Sequence, residues 1–161
     1  MNRRISEVNL IPGTTGASFS TRPIIINPNG NLRHIFKNEL GTNLPFSEIY
    51  FSEVDPRSIK AWKFHNLQTQ NITVAFGEIR IICVSLKTSG SVFEVFEMTS
   101  DDLSGVLTIP ERVHYALINP SGTTTTLLNA TDVVHNPGES QSRPLDYPDF
   151  NALITEYGIS K

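Results

Sequence analysis

Two residues of the run Ile59–His65 carry the first chemical signal. Strand alternation places Lys63 and His65 on one face and Trp62 and Phe64 on the other. An imidazole changes charge near neutral pH, so it can take a proton from a weak acid and return it. A lysine turned into the same interior is costly unless the cavity is wet or holds an anion. The pair therefore points to a polar ligand site. A second histidine, His114, lies in Val113–Asn119 on the face of Ala116 and Ile118, opposed by Val113, Tyr115 and Leu117. Polar or small groups on one side and large apolar groups on the other fit a barrel with a partly polar interior, wide enough for one small ligand. His34 and His135 read as loop or surface residues. The single cysteine, Cys83, sits in an apolar run and reads as a small buried hydrophobe.

The elements that must position these residues are short strands. From Glu48 onward, strand-like runs follow closely: Ile49–Val54, Ile59–His65, Ile72–Phe76, Ile79–Leu86, Val92–Met98, Gly105–Ile109, Val113–Asn119 and Thr124–Asn129. Turn signals separate them at Asp55-Pro56, Gly77-Glu78, Ser89-Gly90, Pro110 and Asn119-Pro120-Ser121-Gly122. No long helical pattern intervenes, which argues for an all-β sandwich or barrel. In residues 1–45, the runs Ile24-Ile25-Ile26 and Leu32 to Phe36 read as edge strands between turns. The core of the barrel is expected over 48–135. Residues 136–161 are expected to form a loop and one short helix within Pro148–Tyr157, stopped by Gly158. No repeat or linker divides the 161 residues, so a single domain is expected.

The formal net charge is −3. No basic stripe is present, which disfavours nucleic acid and anionic membranes as partners. One cysteine cannot make an internal disulfide, which favours a reducing compartment. The N-terminus has no unbroken apolar core of the signal-peptide kind, and no apolar run approaches a membrane span. A cytoplasmic location is expected.

Three blocks of sequence, in order, carry a resemblance. The first is Ile59-Lys60-Ala61-Trp62-Lys63-Phe64-His65, continuing through Gln68-Thr69-Gln70-Asn71 to Gly77-Glu78-Ile79-Arg80. The second is Leu107-Thr108-Ile109-Pro110-Glu111-Arg112-Val113-His114-Tyr115, which is similar to an I-P-x-G-x-x-H-G segment. The third runs from Asn129-Ala130-Thr131-Asp132 through Asn136-Pro137, Glu139 and Arg143 to Asp146-Tyr147-Pro148-Asp149. Together they resemble a short branch of the dTDP-4-dehydrorhamnose 3,5-epimerase family, over about residues 48–150. The resemblance implies a cupin, or jelly-roll, barrel that forms a homodimer and acts on a nucleotide-diphosphate sugar without a cofactor.

That chemistry removes a hydrogen next to a ketone, stabilises the enolate oxygen and returns the proton. The resemblance makes His65 the base. Gln70 stands where the family has a lysine at the enolate oxygen, and a neutral amide makes a weaker bond there; Lys63 is a substitute cation. Where the family has its tyrosine acid, this chain reads Leu127-Leu128-Asn129. The family's aspartate partner of the base lies in a C-terminal segment, and the resemblance, which ends near residue 150, leads us to expect no counterpart of it here. Catalytic roles are thus expected for His65, Lys63 and Gln70, and substrate contacts for His114, Trp62, Gln68, Asn129 and Arg143. Trp62 would pack or stack, and Arg143 would grip a phosphate or pair with Asp146. Cupin metal sites start from H-x-H, but here that position reads Lys63-Phe64-His65, so no metal is expected. Epimerisation, keto-sugar isomerisation and sugar-nucleotide binding without catalysis remain open.

Overall fold

A computed structural model of the chain describes residues 10–36, 46–88, 90–101 and 105–159. Residues 1–9, 37–45, 89, 102–104 and 160–161 lie outside them, and with Ser89 part of the turn expected at Ser89-Gly90. Among the described residues, eleven strands form two sheets. The first sheet runs in the order β1 (Leu10–Pro12), β7 (Ser91–Thr99), β6 (Glu78–Ser85), β9 (His114–Asn119), β4 (Ser58–His65) and β11 (Ser140–Ser142). The second runs β2 (Ser18–Thr21), β8 (Gly105–Ile109), β5 (Gln70–Phe76), β10 (Thr125–Thr131) and β3 (Glu48–Val54). All pairings are antiparallel except β1 with β7. This is the jelly-roll cupin architecture, with one short helix, α1 (Asn151–Tyr157), near the C-terminus. Among the described residues no helix is long and apolar enough to cross a membrane.

The eight strands expected from Glu48 onward all form, with ends within two residues of the sequence reading. The N-terminal expectation is corrected. Ile25 and Leu32 make only an isolated bridge, and the edge strands are Leu10–Pro12 and Ser18–Thr21. Pro23 and Pro28 flank Ile24–Asn27, and Ile26 is left 75% exposed, so no ladder or core claims this segment. The C-terminal loop also contains a strand the sequence does not announce. Ser140-Gln141-Ser142 has no apolar period to reveal it, yet its backbone pairs with Phe64 and its neighbours on β4.

Apolar side chains fill two layers. Between the sheets lie Ile72, Ile81, Cys83, Leu107, Ile109 and Leu127, all at or below 1% exposure. A second layer lies outside the first sheet, where Trp62, Ile82, Ala116 and Ile118 meet Phe150 and Leu153 around the helix. Trp62 and Phe150 pack with ring centroids 4.7 Å apart. Each such buried large side chain contributes roughly 1.5–3 kcal/mol. The helix ends where the Gly158 amide bonds the Ile154 carbonyl at 3.0 Å.

One turn bears directly on the site. Arg112 adopts φ 65°, a left-handed backbone that costs a non-glycine residue roughly 1–2 kcal/mol. Its amide donates to the His65 carbonyl at 2.7 Å. The connection between β8 and β9 is thereby tied to the end of β4.

Candidate functional site

His65 closes β4 with its ring buried and both nitrogens engaged. Nδ1 lies 3.0 Å from Glu139 Oε2. Nε2 lies 3.3 Å from Tyr115 Oη and 3.4 Å from Gln70 Nε2. Glu139 precedes β11, and its other oxygen accepts the backbone amides of Leu67 and Gln68 at 3.3 and 3.1 Å. Burial pushes the Glu139 carboxyl upward. The hydrogen bond from His65, the two amides and the charge of the imidazole outweigh that push and hold it below the ordinary carboxylate range. A carboxylate on Nδ1 fixes that nitrogen as the N–H and leaves the lone pair on Nε2.

His65 opens onto a cavity of about 110 Å³. Its walls are Lys63 beside His65 on β4, Tyr50 on β3, Gln68 and His135 from loops, and the polar strand Ser140–Ser142. The same-face expectation for Lys63 and His65 agrees with this wall. Burial, and then Lys60, push the Lys63 ammonium below its ordinary range. Tyr50 is raised, by burial and then by Glu48. Its phenol donates to Gln70 Oε1 at 3.4 Å, while Gln70 Nε2 donates to Gln68 Oε1. Gln68 Nε2 in turn donates to the Val133 carbonyl at 2.5 Å.

The remaining candidates are placed elsewhere. Asn129 is buried on β10 and donates to Ser52 Oγ at 2.9 Å, away from the walls of this cavity. Arg143 stacks over the Tyr147 ring at 4.7 Å, and its backbone pairs with Trp62. Trp62 is fully buried against Phe150, in the layer under the helix. His114 is in that layer too, 4.5 Å from the Phe64 ring and 5.2 Å from Phe150. The expectation that His114 faces the interior and contacts substrate is therefore corrected, since it lines no wall of the cavity at His65. Tyr115 faces His65 instead.

Alternation within β9 holds, but the assignment of its inner face does not. Lys63 pairs directly with Tyr115 across the ladder, after a bulge between Lys60 and Lys63. Directly paired residues project to the same side. The signal was available in the sequence. Counted from Pro110, the histidine of I-P-x-G-x-x-H-G falls on Tyr115 and its glycine on Arg112, the residue that adopts the left-handed turn. Glu139 was visible too, as part of the third block, but nothing local marks it as the partner of a histidine 74 residues away. Among the described residues, no group of three or more His, Cys, Asp or Glu side chains is arranged to hold a metal.

No family model and no curated protein matches the sequence. Solved structures do match. A dTDP sugar isomerase from Desulfovibrio desulfuricans G20 is 32% identical, covering 83% of this chain and 87% of that one, with a TM-score of 0.77. The 3′-monoepimerase ChmJ from Streptomyces bikiniensis, solved with dTDP-quinovose, is 15% identical over 86% of this chain and 78% of its own, at TM-score 0.73. The 3,4-ketoisomerase QdtA from Thermoanaerobacterium thermosaccharolyticum, solved with TDP-4-keto-6-deoxyglucose, is 16% identical over 87% and 96%, at 0.67. The latter two share the fold with this chain. The first adds sequence identity sustained over most of both chains. The first motif block supplies Lys63, His65 and Gln68 to the cavity wall, the span of the third supplies His135 and Ser140–Ser142, and the second brings Tyr115 to His65. The chain belongs to the dTDP-4-dehydrorhamnose 3,5-epimerase-like family of cupins.

Proposed function

We propose that this protein is a cofactor-independent epimerase or isomerase of a nucleotide-linked 4-keto-6-deoxy sugar, in surface polysaccharide or deoxysugar synthesis. The observation that carries the reading is the Glu139–His65 pair opening onto a small polar cavity with Lys63 and Tyr50 in its wall. Relatives solved with dTDP-quinovose or TDP-4-keto-6-deoxyglucose support the substrate class.

In this reading His65 Nε2 takes the proton from the carbon next to the ketone. The electron pair moves into the carbonyl, forming an enolate, and the Lys63 ammonium favours the charge on its oxygen. Glu139 keeps Nδ1–H in place and stabilises the imidazolium. Tyr50 is the acid that the sequence reading left without a candidate. A proton from its phenol to the opposite face inverts the centre. A proton to the former carbonyl carbon, with the proton of the adjacent hydroxyl passing to the former carbonyl oxygen, moves the ketone instead. Ligand pockets for larger molecules run to about 300–1,000 Å³. A cavity of about 110 Å³ takes the sugar ring and leaves the nucleotide across the mouth.

The reading includes a single cupin domain over 1–161, a cytoplasmic location and a homodimer. Ile49 and Phe51, 55% and 68% exposed on the edge strand β3, support the last of these. Light scattering that gives a monomer at micromolar concentration would remove it. One observation favours the alternative of a non-catalytic sugar-nucleotide binder: both His65 nitrogens already have partners within the protein. Incubation in D₂O with 4-keto-6-deoxy sugars linked to thymidine, uridine, cytidine or guanosine diphosphate separates the two. An enzyme introduces deuterium next to the ketone; a binder shifts the spectra without exchange.

A further inference from the structure

We infer that Tyr115 is a positioning residue for His65, because its phenol can serve Nε2 both as a lone pair and as an N–H. The inference rests on His65 acting as the base. Two groups reach Nε2, Tyr115 Oη and Gln70 Nε2, and they are not equivalent. The orientation of the Gln70 amide follows from its chain of bonds. Gln68 Nε2 donates to the Val133 carbonyl, so Gln68 Oε1 is free to accept from Gln70 Nε2. Gln70 Oε1 then accepts from the Tyr50 phenol. Gln70 therefore presents N–H to His65. It can satisfy a lone pair on Nε2 but cannot accept from the N–H that replaces it once a proton has been taken.

A hydroxyl has no such restriction. The Tyr115 O–H donates to neutral His65, and on proton transfer it rotates and accepts. Its ring lies nearly parallel to the imidazole, at 16° and 6.1 Å between centroids, which holds Oη at the nitrogen in both states. Burial, with further contributions from Tyr50, Cys83 and Glu139, pushes the Tyr115 phenol above its ordinary range, so the hydroxyl keeps its proton. The other ionisable groups around the ring are Glu139 at Nδ1 and Lys63, Tyr50 and His135 in the cavity wall. Of these, none bonds Nε2 among the described contacts.

The two Nε2 partners should pull in opposite directions. Without the phenol, the imidazolium has only an N–H facing it, and proton uptake is disfavoured. Without the Gln70 amide, that opposition is removed. Tyr115→Phe is expected to lower kcat about 10- to 100-fold, the loss of one hydrogen bond to a charged group, with KM within about twofold. It should also move the acid limb of the kcat/KM profile to lower pH, and Gln70→Met should move it to higher pH. The ¹⁵N titration of His65 Nε2 in substrate-free protein should shift in the same two directions. That titration needs no turnover, so it decides the role of Tyr115 even if no nucleotide sugar reacts. Limbs and titrations that stay put in both variants, or that move the same way in both, would overturn the inference.

Discussion

His114 is 5% exposed, and neither ring nitrogen has a hydrogen-bond partner. It is wedged between Phe64 and Phe150, beneath the residues that dock the C-terminal helix. Burial, and then the charge of Arg143, lower its pKa from 6.5 to about 4. In the unfolded chain the ring binds a proton below about pH 6.5, whereas in the folded chain it does so only near pH 4. Over that window the unfolded state holds more protons, so stability must fall as pH falls. At about 1.4 kcal/mol per pH unit the full window is worth roughly 3 kcal/mol at most. Substitution by phenylalanine removes the titration and also removes two buried polar atoms that lack partners. Urea unfolding of wild type and His114→Phe at pH 7, 5.5 and 4.5 should show a gap that widens in favour of the variant as pH drops. Glu139, whose carboxyl is held below its ordinary range, contributes stability that is lost only as pH falls through that lower, folded-state value, and it does so in both proteins. A gap that stays constant across the three pH values would refute the claim that His114 is kept neutral by its packing.

Two further outcomes separate the helix layer from the cavity. Phe150→Ala, which empties the space against Trp62 and His114, should cost about 3–5 kcal/mol in denaturant unfolding and leave nucleotide-sugar binding by the remaining folded protein unchanged. Glu139→Gln keeps a hydrogen-bonding group but loses the charge that fixes the His65 tautomer. Its kcat should fall by about 10²- to 10⁴-fold, and the stability that the depressed carboxyl contributes at neutral pH should be lost with it, as measured by deuterium exchange and thermal unfolding.

Short apolar runs bounded by turn signals made the strands from Glu48 onward legible, even where, as in β9, every residue is buried and burial does not alternate. The same signal failed for Ser140–Ser142, where pairing with β4 is made by backbone groups alone. It also failed to say which face of β9 looks inward. That depends on the register of Lys63 against Tyr115, and a bulge between Lys60 and Lys63 resets it. Lys63 and His65 could be paired from sequence because they share one strand. Alternation could not reach Glu139 or Tyr115, which meet His65 from 74 and 50 residues away through the order of strands in the sheet; only the count from Pro110 marks Tyr115, and nothing local marks Glu139.

The central claim is that His65 moves a proton at a carbon next to a ketone. Its most direct test is solvent deuterium entry into a nucleotide-linked 4-keto-6-deoxy sugar, followed by proton NMR, for wild type and His65→Asn. Wild type should exchange that hydrogen. The variant should not, while still binding the nucleotide within about threefold, because the proposed reading leaves the nucleotide across the mouth of the small cavity. Exchange by His65→Asn at the wild-type rate would contradict the account.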